Sequence, residues 1–176
     1  VGRMIDLGYP AGPVIEQFAK KGDPRAHDFP LPMTTSGDYN LSFSGLKTFS
    51  RNLIAQLEET NQLNSQQAIF DVAASLQYGV FRHITYKLTK ILQDHPEIRQ
   101  VWLGGGVAAN VALRRAIRDT IKKVNPTNPQ PLLVPYTKRL CQDNAAMIGV
   151  AAQFADIPKV NKSPERLDRK PNLKLA

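Results

Sequence analysis

Apolar residues recur at three- and four-residue steps over one long stretch of this chain: Ala68, Ile69, Val72, Leu76, Val80, Ile84, Leu88 and Ile91. That spacing keeps one face of a helix apolar and predicts a long helix from Ser65 to Asp94, with Pro96 as its stop signal. Shorter helical patterns lie ahead of it. Val14, Ile15, Phe18 and Ala19 share one face behind Pro13, a residue suited to a first helical turn. Leu46, Phe49, Leu53, Ile54 and Leu57 form another helical face. Between these two patterns the text from Lys21 to Thr35 is irregular, and Pro24, Pro30 and Pro32 keep it extended. Tyr39 to Phe43 alternates in the manner of a strand, and Ser44-Gly45 marks a turn after it.

The later half changes rhythm. Gln100 to Leu103, with the apolar run Val101-Trp102-Leu103, reads as a buried strand, and Gly104-Gly105-Gly106-Val107-Ala108-Ala109-Asn110 follows. Next comes a helix from Val107 to Val124, with Leu113, Ile117 and Ile121 inward and Arg114, Arg115, Arg118, Lys122 and Lys123 outward. The residues Asn125-Pro126-Thr127-Asn128-Pro129 form a loop, and Leu132-Leu133-Val134 reads as a second short buried strand. Asp143 suits the N-cap or first turn of a helix reaching about Phe154. Strand and helix alternate here, which argues for an α/β sheet behind a helical layer. The chain therefore divides into residues 1–95 (turn, extended segment and helical layer), 96–156 (α/β part) and a basic tail at 157–176. If the two strands are parallel neighbours, the Gly105 loop and the Asp143 loop open on one sheet edge, where α/β proteins place ligands.

Glycines between a strand and a helix start let a phosphate or ribose lie against backbone, with the helix N–H groups facing it. The spacing is neither GxGxxG nor the GxxxxGK[ST] of a P-loop. A tight strand-to-helix turn and a nucleotide loop both fit it.

The formal charge of +8 and a sequence pI near 9.7 favour polyanionic partners such as RNA. Part of that charge sits in the tail, where Lys159, Lys162, Arg166, Arg169, Lys170 and Lys174 face only Glu165 and Asp168. The tail reads as a solvated flexible end or as an arm contacting RNA. No apolar run approaches the roughly 20 residues that cross a bilayer, so no membrane role is expected. The lone Cys141 excludes an internal disulfide and fits a cytoplasmic location. Val1-Gly2-Arg3-Met4-Ile5-Asp6 does not read as a signal peptide, and a start on Val1 points to a truncated or processed chain.

Four segments in order go beyond these general signals. They are Tyr9-Pro10-Ala11-Gly12-Pro13, Leu41-Ser42-Phe43-Ser44-Gly45-Leu46-Lys47-Thr48, Gly105-Gly106-Val107-Ala108-Ala109-Asn110 with Leu113-Arg114, and Cys141-Gln142-Asp143-Asn144-Ala145-Ala146-Met147-Ile148. Together they resemble the C-terminal half of the TsaD/Kae/Qri family of tRNA N6-adenosine threonylcarbamoyltransferases, once called O-sialoglycoprotein endopeptidases or glycoproteases. The resemblance implies the actin-like, Hsp70-like ATPase superfold, of which this chain would hold the C-terminal lobe and a helical layer. It also implies transfer of a threonylcarbamoyl group from threonylcarbamoyl-adenylate to the exocyclic amine of the adenosine beside the anticodon, in tRNAs reading codons that start with A. Asn110 matches the family's asparagine on the nucleoside portion of the adenylate. Gly12 matches a glycine lining the same site, with Gly105 and Gly106 in the adjoining loop. Glu16 stands where an aspartate usually meets the ribose, keeping the carboxylate and lengthening its reach. Asp143 matches the aspartate that binds one divalent metal, iron or zinc. The implied partners are tRNA, a TsaB-like paralogue and a TsaE-like ATPase.

Some features depart from the family pattern. Its metal site also uses two histidines at HxxxH spacing, whereas His27, His83 and His95 have no such spacing. His83 reads as a packing or surface residue of the long helix, and His27 and His95 as loop residues. Gln142 replaces a threonine, and the tail lacks the usual ending. No catalytic residue is identified in this chain, and it is expected to be inactive as a transferase by itself. Competing readings are a non-catalytic actin-like docking lobe, a sugar-kinase-like ATPase and a metallopeptidase. The last has no HExxH helix to support it.

Overall fold

The computed structural model describes residues 1–142 and 144–154; Asp143 and residues 155–176, with the basic tail, lie outside the described residues. Residues Val1–Gln142 form one compact unit. Its elements are α1 (Gly12–Ala19), α2 (Ser44–Glu59), α3 (Gln66–Asp94), β1 (Val101–Trp102), α4 (Val111–Val124) and β2 (Leu132–Leu133). Short 3₁₀ turns stand at Gly2–Ile5, Gly106–Ala109 and Lys138–Cys141. In the second unit, α5 covers Ala145–Phe154.

The long helical pattern forms as its spacing dictates, and Ser65 caps α3 by accepting from the Ala68 N–H. Three apolar clusters radiate from α3. One joins Ile5 to Ile54 and Leu57 of α2 and Val72 of α3. A second packs Phe29 with Leu46 and Leu76. The third sets Leu92 against Leu113, Ile117 and Ile121 of α4, with Val101, Leu103 and Leu132 of the sheet region at its margin. The helix is thus the spine against which both halves of the unit are built.

One side of this spine binds a strap of irregular chain. Asp71 Oδ1 accepts from Asp23 N–H at 2.8 Å, and Ser75 Oγ accepts from His27 N–H at 3.1 Å. Farther along, Arg82 donates to the Phe29 carbonyl, Tyr86 to the Thr34 carbonyl and Lys87 to Ser36 and the Asp38 carbonyl. Asp71, Ser75, Arg82 and Tyr86 lie four or seven apart and so form one row along the helix, with Lys87 beside its end. Gly79 interrupts the row because Phe29 fills its place: a Cβ there would lie 2.7 Å from the Phe29 Cβ.

Several sequence expectations need correction here. Tyr39–Phe43 forms no strand; it lies against α3, and the Ser42 N–H donates to His83 Nε2 at 3.2 Å. Alternation alone cannot make a strand without a neighbouring strand edge to bond. Ser44-Gly45 is not a turn but the first residues of α2. His83 is fully buried, so of its two expected settings the structure selects packing.

The strands β1 and β2 do pair in parallel, Val101 with Leu132 and Trp102 with Leu133, and α4 supplies the crossover that a parallel pair requires. They are not buried on both faces. Alternation sends Val101 and Leu103 toward α3 and α4, but leaves Trp102 76% exposed. The Gly105 loop and the segment that follows β2 as far as Gln142 nevertheless leave the same end of the parallel pair. Arg114 ties them together: Nε donates to the Ala108 carbonyl at 2.6 Å, and Nη2 lies 3.5 Å from Cys141 Sγ. It is half-buried and turned inward, contrary to its expected outward position. No described helix is long and apolar enough to cross a membrane.

Candidate functional site

The glycine loop does not run straight into a helix. A single 3₁₀ turn, Gly106–Ala109, comes first, and Asn110 then takes an extended conformation (φ −70°, ψ 119°) before α4 starts at Val111. The expected helix from Val107 is therefore broken at Asn110. The reason is chemical: an asparagine side chain can replace the missing backbone acceptor at a helix start. Its Oδ1 accepts from the Leu113 N–H at 3.0 Å. Gly105 opens the loop at φ +84°, a left-handed conformation that side chains resist.

A second side chain reaches the same helix start. Glu16, on α1 and one turn beyond Gly12, places Oε1 3.2 Å from the Val111 N–H. Its carboxylate meets an unpaired backbone donor at the positive end of the helix dipole. The longer reach expected of glutamate at this position ends on α4 backbone. Two of the first α4 N–H groups are thereby satisfied by residues 94 positions apart in sequence, Glu16 and Asn110.

The sequence reading missed Gln77 of α3. Its Oε1 accepts from Asn110 Nδ2 at 3.0 Å. Glu16, Gln77, Val111 and Arg115 then line an open cleft of about 390 Å³, with Lys20 and Asp119 at its sides. A signal for Gln77 did exist. It is a long polar residue in a stretch of α3 dominated by Ala73, Ala74, Leu76 and Val80.

The other anticipated residues stand as follows. Gly12 and Gly106 are exposed, and a Cβ at either would meet nothing within 4 Å, so protein packing does not require glycine there. Asp143 lies outside the described residues, and the α5 cap next to it is Asn144, whose Oδ1 accepts from the Met147 N–H. The three histidines do not gather. His83 is buried against α2's approach segment, with burial and the nearby Lys87 charge holding its pKa below the usual histidine value. His95 pairs with Glu97 and Tyr39, and the His27 backbone is held by Ser75. Among the described residues no group of three or more histidine, cysteine, aspartate or glutamate side chains is placed to hold a metal ion.

The family model for TsaD, tRNA N6-adenosine threonylcarbamoyltransferase, matches residues 1–150. Proteins of that name from Rickettsia bellii, Crocosphaera subtropica and Fervidobacterium nodosum are 40%, 41% and 40% identical over 156, 157 and 151 residues. Each match covers 86% of this chain but only 42–43% of the relative, so the chain spans less than half the length of these curated relatives. With the glycine loop, Asn110 and Glu16 joined at one helix start, and a family match across nearly all described residues, this chain belongs to the TsaD family.

Proposed function

We propose that this chain supplies the nucleoside-binding part of an enzyme that transfers threonylcarbamoyl from threonylcarbamoyl-adenylate to N6 of the adenosine beside the anticodon in tRNA. The observation that carries this reading is the meeting of Glu16 and Asn110 at the start of α4, beside an open cleft, in a chain of this family. Asn110 still has one N–H and one lone pair for a ligand after bonding Leu113 and Gln77. Gly12, Gly105 and Gly106 leave backbone uncovered where a nucleoside would lie. Lys20 and Arg115 offer positive charge to a phosphate. The net charge of +8 suits a tRNA partner.

In the overall reaction the adenosine N6 bonds to the carbamoyl carbon. The carbamoyl C–O bond breaks, AMP leaves with the electron pair, and the amine loses a proton. This chain's share is to bind and orient the adenylate, as part of the actin-like lobe that the family resemblance implies. The same proposal includes Asp143 as a ligand of a divalent metal, and TsaB-like and TsaE-like partners. The described residues do not themselves form a metal site.

Calorimetric titration with AMP, ATP and simple sugars tests the reading. AMP should bind, and Asn110→Ala should weaken it about tenfold, as expected for loss of a well-placed hydrogen bond. Preference for a sugar would favour a kinase-like lobe, and no nucleotide binding at all would favour a docking lobe. Incubated alone with threonylcarbamoyl-adenylate and tRNA, the chain should give no modified tRNA; turnover would overturn its assignment as one part of the site.

A further inference from the structure

We infer that Gln77 is a positioning residue: it fixes the orientation of the Asn110 carboxamide and so decides which Asn110 groups a nucleoside meets. The inference rests on the nucleoside-site reading above but adds a residue that neither motif nor resemblance identified. It follows from a chain of forced orientations. The Leu113 N–H can only donate, so the Asn110 atom 3.0 Å away must be the carbonyl oxygen. The Asn110 amide nitrogen then faces α3, where it needs an acceptor. Gln77 Oε1, 3.0 Å from Asn110 Nδ2, is that acceptor, and the Gln77 amide nitrogen is turned the other way.

A carboxamide held at one end only can rotate about its last torsion, which has broad, roughly two-fold preferences. Held at both ends, it presents one remaining N–H and one remaining lone pair in fixed directions. Gln77 is itself well anchored. It sits in the middle turns of the 29-residue α3, beside the fully buried Val72, Ala73 and Ser75, and it is half-buried against α4. The helix that bears the whole unit therefore sets the orientation of a loop residue 33 positions away.

The experiment uses the full chain and two readouts. In nitrogen–proton NMR spectra without ligand, the Asn110 side-chain amide should show one proton shifted downfield and slow to exchange. Gln77→Ala should return it to the position of a free carboxamide, whereas Gln77→Glu, which keeps an acceptor, should retain the shift. Adenosine, which carries no phosphate to be repelled by the new carboxylate, is the binding probe. Gln77→Ala should weaken it about five- to tenfold, the usual consequence of losing one oriented hydrogen bond. Gln77→Glu should recover most of that loss. In an Asn110→Ala background Gln77→Ala should add nothing further, because its effect passes through Asn110.

An unchanged Asn110 signal in Gln77→Ala overturns the inference. So does an equal loss of affinity with and without Asn110, which would make Gln77 a ligand contact in its own right. If the unmodified chain fails to bind adenosine, the nucleoside reading fails, while the Asn110 signal still decides whether Gln77 holds it. Circular dichroism of both variants separates these outcomes from misfolding.

Discussion

The two sides of α3 carry polar groups with opposite fates. Toward the strap, His83 and Lys87 are sealed from solvent, and their partners are Ser42, Ser36 and Asp38 of a single irregular segment. Toward α4, Gln77 is half-buried and lines a cleft open to solvent, and its partner is Asn110 at the start of α4. A sealed polar group can meet only its own fold, whereas an open one can also meet a ligand. Histidine and lysine are the residue types that draw attention as catalytic candidates, yet here burial makes them structural. In the proposed site that part falls to two plainer amides, Asn110 and Gln77.

Lys87 gives the largest test of this contrast. Its Nζ holds Ser36 Oγ at 2.6 Å and the Asp38 carbonyl at 2.8 Å, with the Asp38 carboxylate at 3.8 Å. Lys87→Met keeps the buried stem but removes all three attachments. Charged hydrogen bonds of this kind contribute about 1.5–3 kcal/mol each, partly offset here by relief of a buried charge. A loss of about 2–3 kcal/mol on urea unfolding is expected, with adenosine affinity unchanged in the folded protein. A drop in affinity without a drop in stability would erase the distinction between the two sides.

His83 comes next and adds a pH dependence. Its Nε2 accepts the Ser42 N–H, so the neutral ring is the form that fits; Nδ1 is buried with no partner among the described residues. Burial first, and the Lys87 charge second, lower its pKa in the folded state. The unfolded chain therefore binds a proton more readily than the folded one, and stability is full above the ordinary histidine pKa of about 6.5. It should decline as pH falls from there through the lower folded value. His83→Leu should cost about 1–2 kcal/mol at neutral pH, for the Ser42 N–H left unpaired, and should flatten this slope. An unaltered slope in the variant would assign it to other groups.

How much of this was legible in sequence depended on the range of the interaction. The long helix and the two short strands follow from local periodicity, and all appear; the Ser65 cap and the parallel pairing of the strands came from the structure. The Tyr39–Phe43 strand failed because pairing needs a distant partner, and the actual partner is His83 on a helix. The helix start at Val111 was obscured because Val107 to Ala109 are good helical neighbours. Only the competing cap chemistry of Asn110 breaks them off. In the site, Glu16 and Asn110 were found through motif resemblance. Their junction, and Gln77 with it, depends on contacts across 95 and 33 positions that no local pattern encodes.

On the open side, Asn110→Ala removes the α4 cap and the bond to Gln77 together. Loss of an asparagine cap costs about 1 kcal/mol, smaller than the change at Lys87 although the residue matters more to the proposed ligand. Stability and nucleotide affinity should separate here. Asn110→Asp keeps a capping oxygen and should retain most of the stability while losing the donor that faces Gln77. Thermal unfolding paired with AMP titration of the two variants checks this, and parallel losses in both quantities would count against it.

Glu16 should give the smallest change in stability and the sharpest in selectivity. Its carboxylate sits at an exposed helix start, where a negative charge contributes about 0.3–1 kcal/mol and salt screens it. Glu16→Gln keeps an acceptor for the Val111 N–H, so a loss below about 0.5 kcal/mol, vanishing in high salt, is expected. If the same carboxylate also accepts from a ribose hydroxyl, as the family resemblance implies for this position, the variant should weaken adenosine more than 2′-deoxyadenosine. A uniform effect on both nucleosides would confine Glu16 to capping α4, and the polar convergence at that helix start would then belong with the sealed side of α3 rather than with the site.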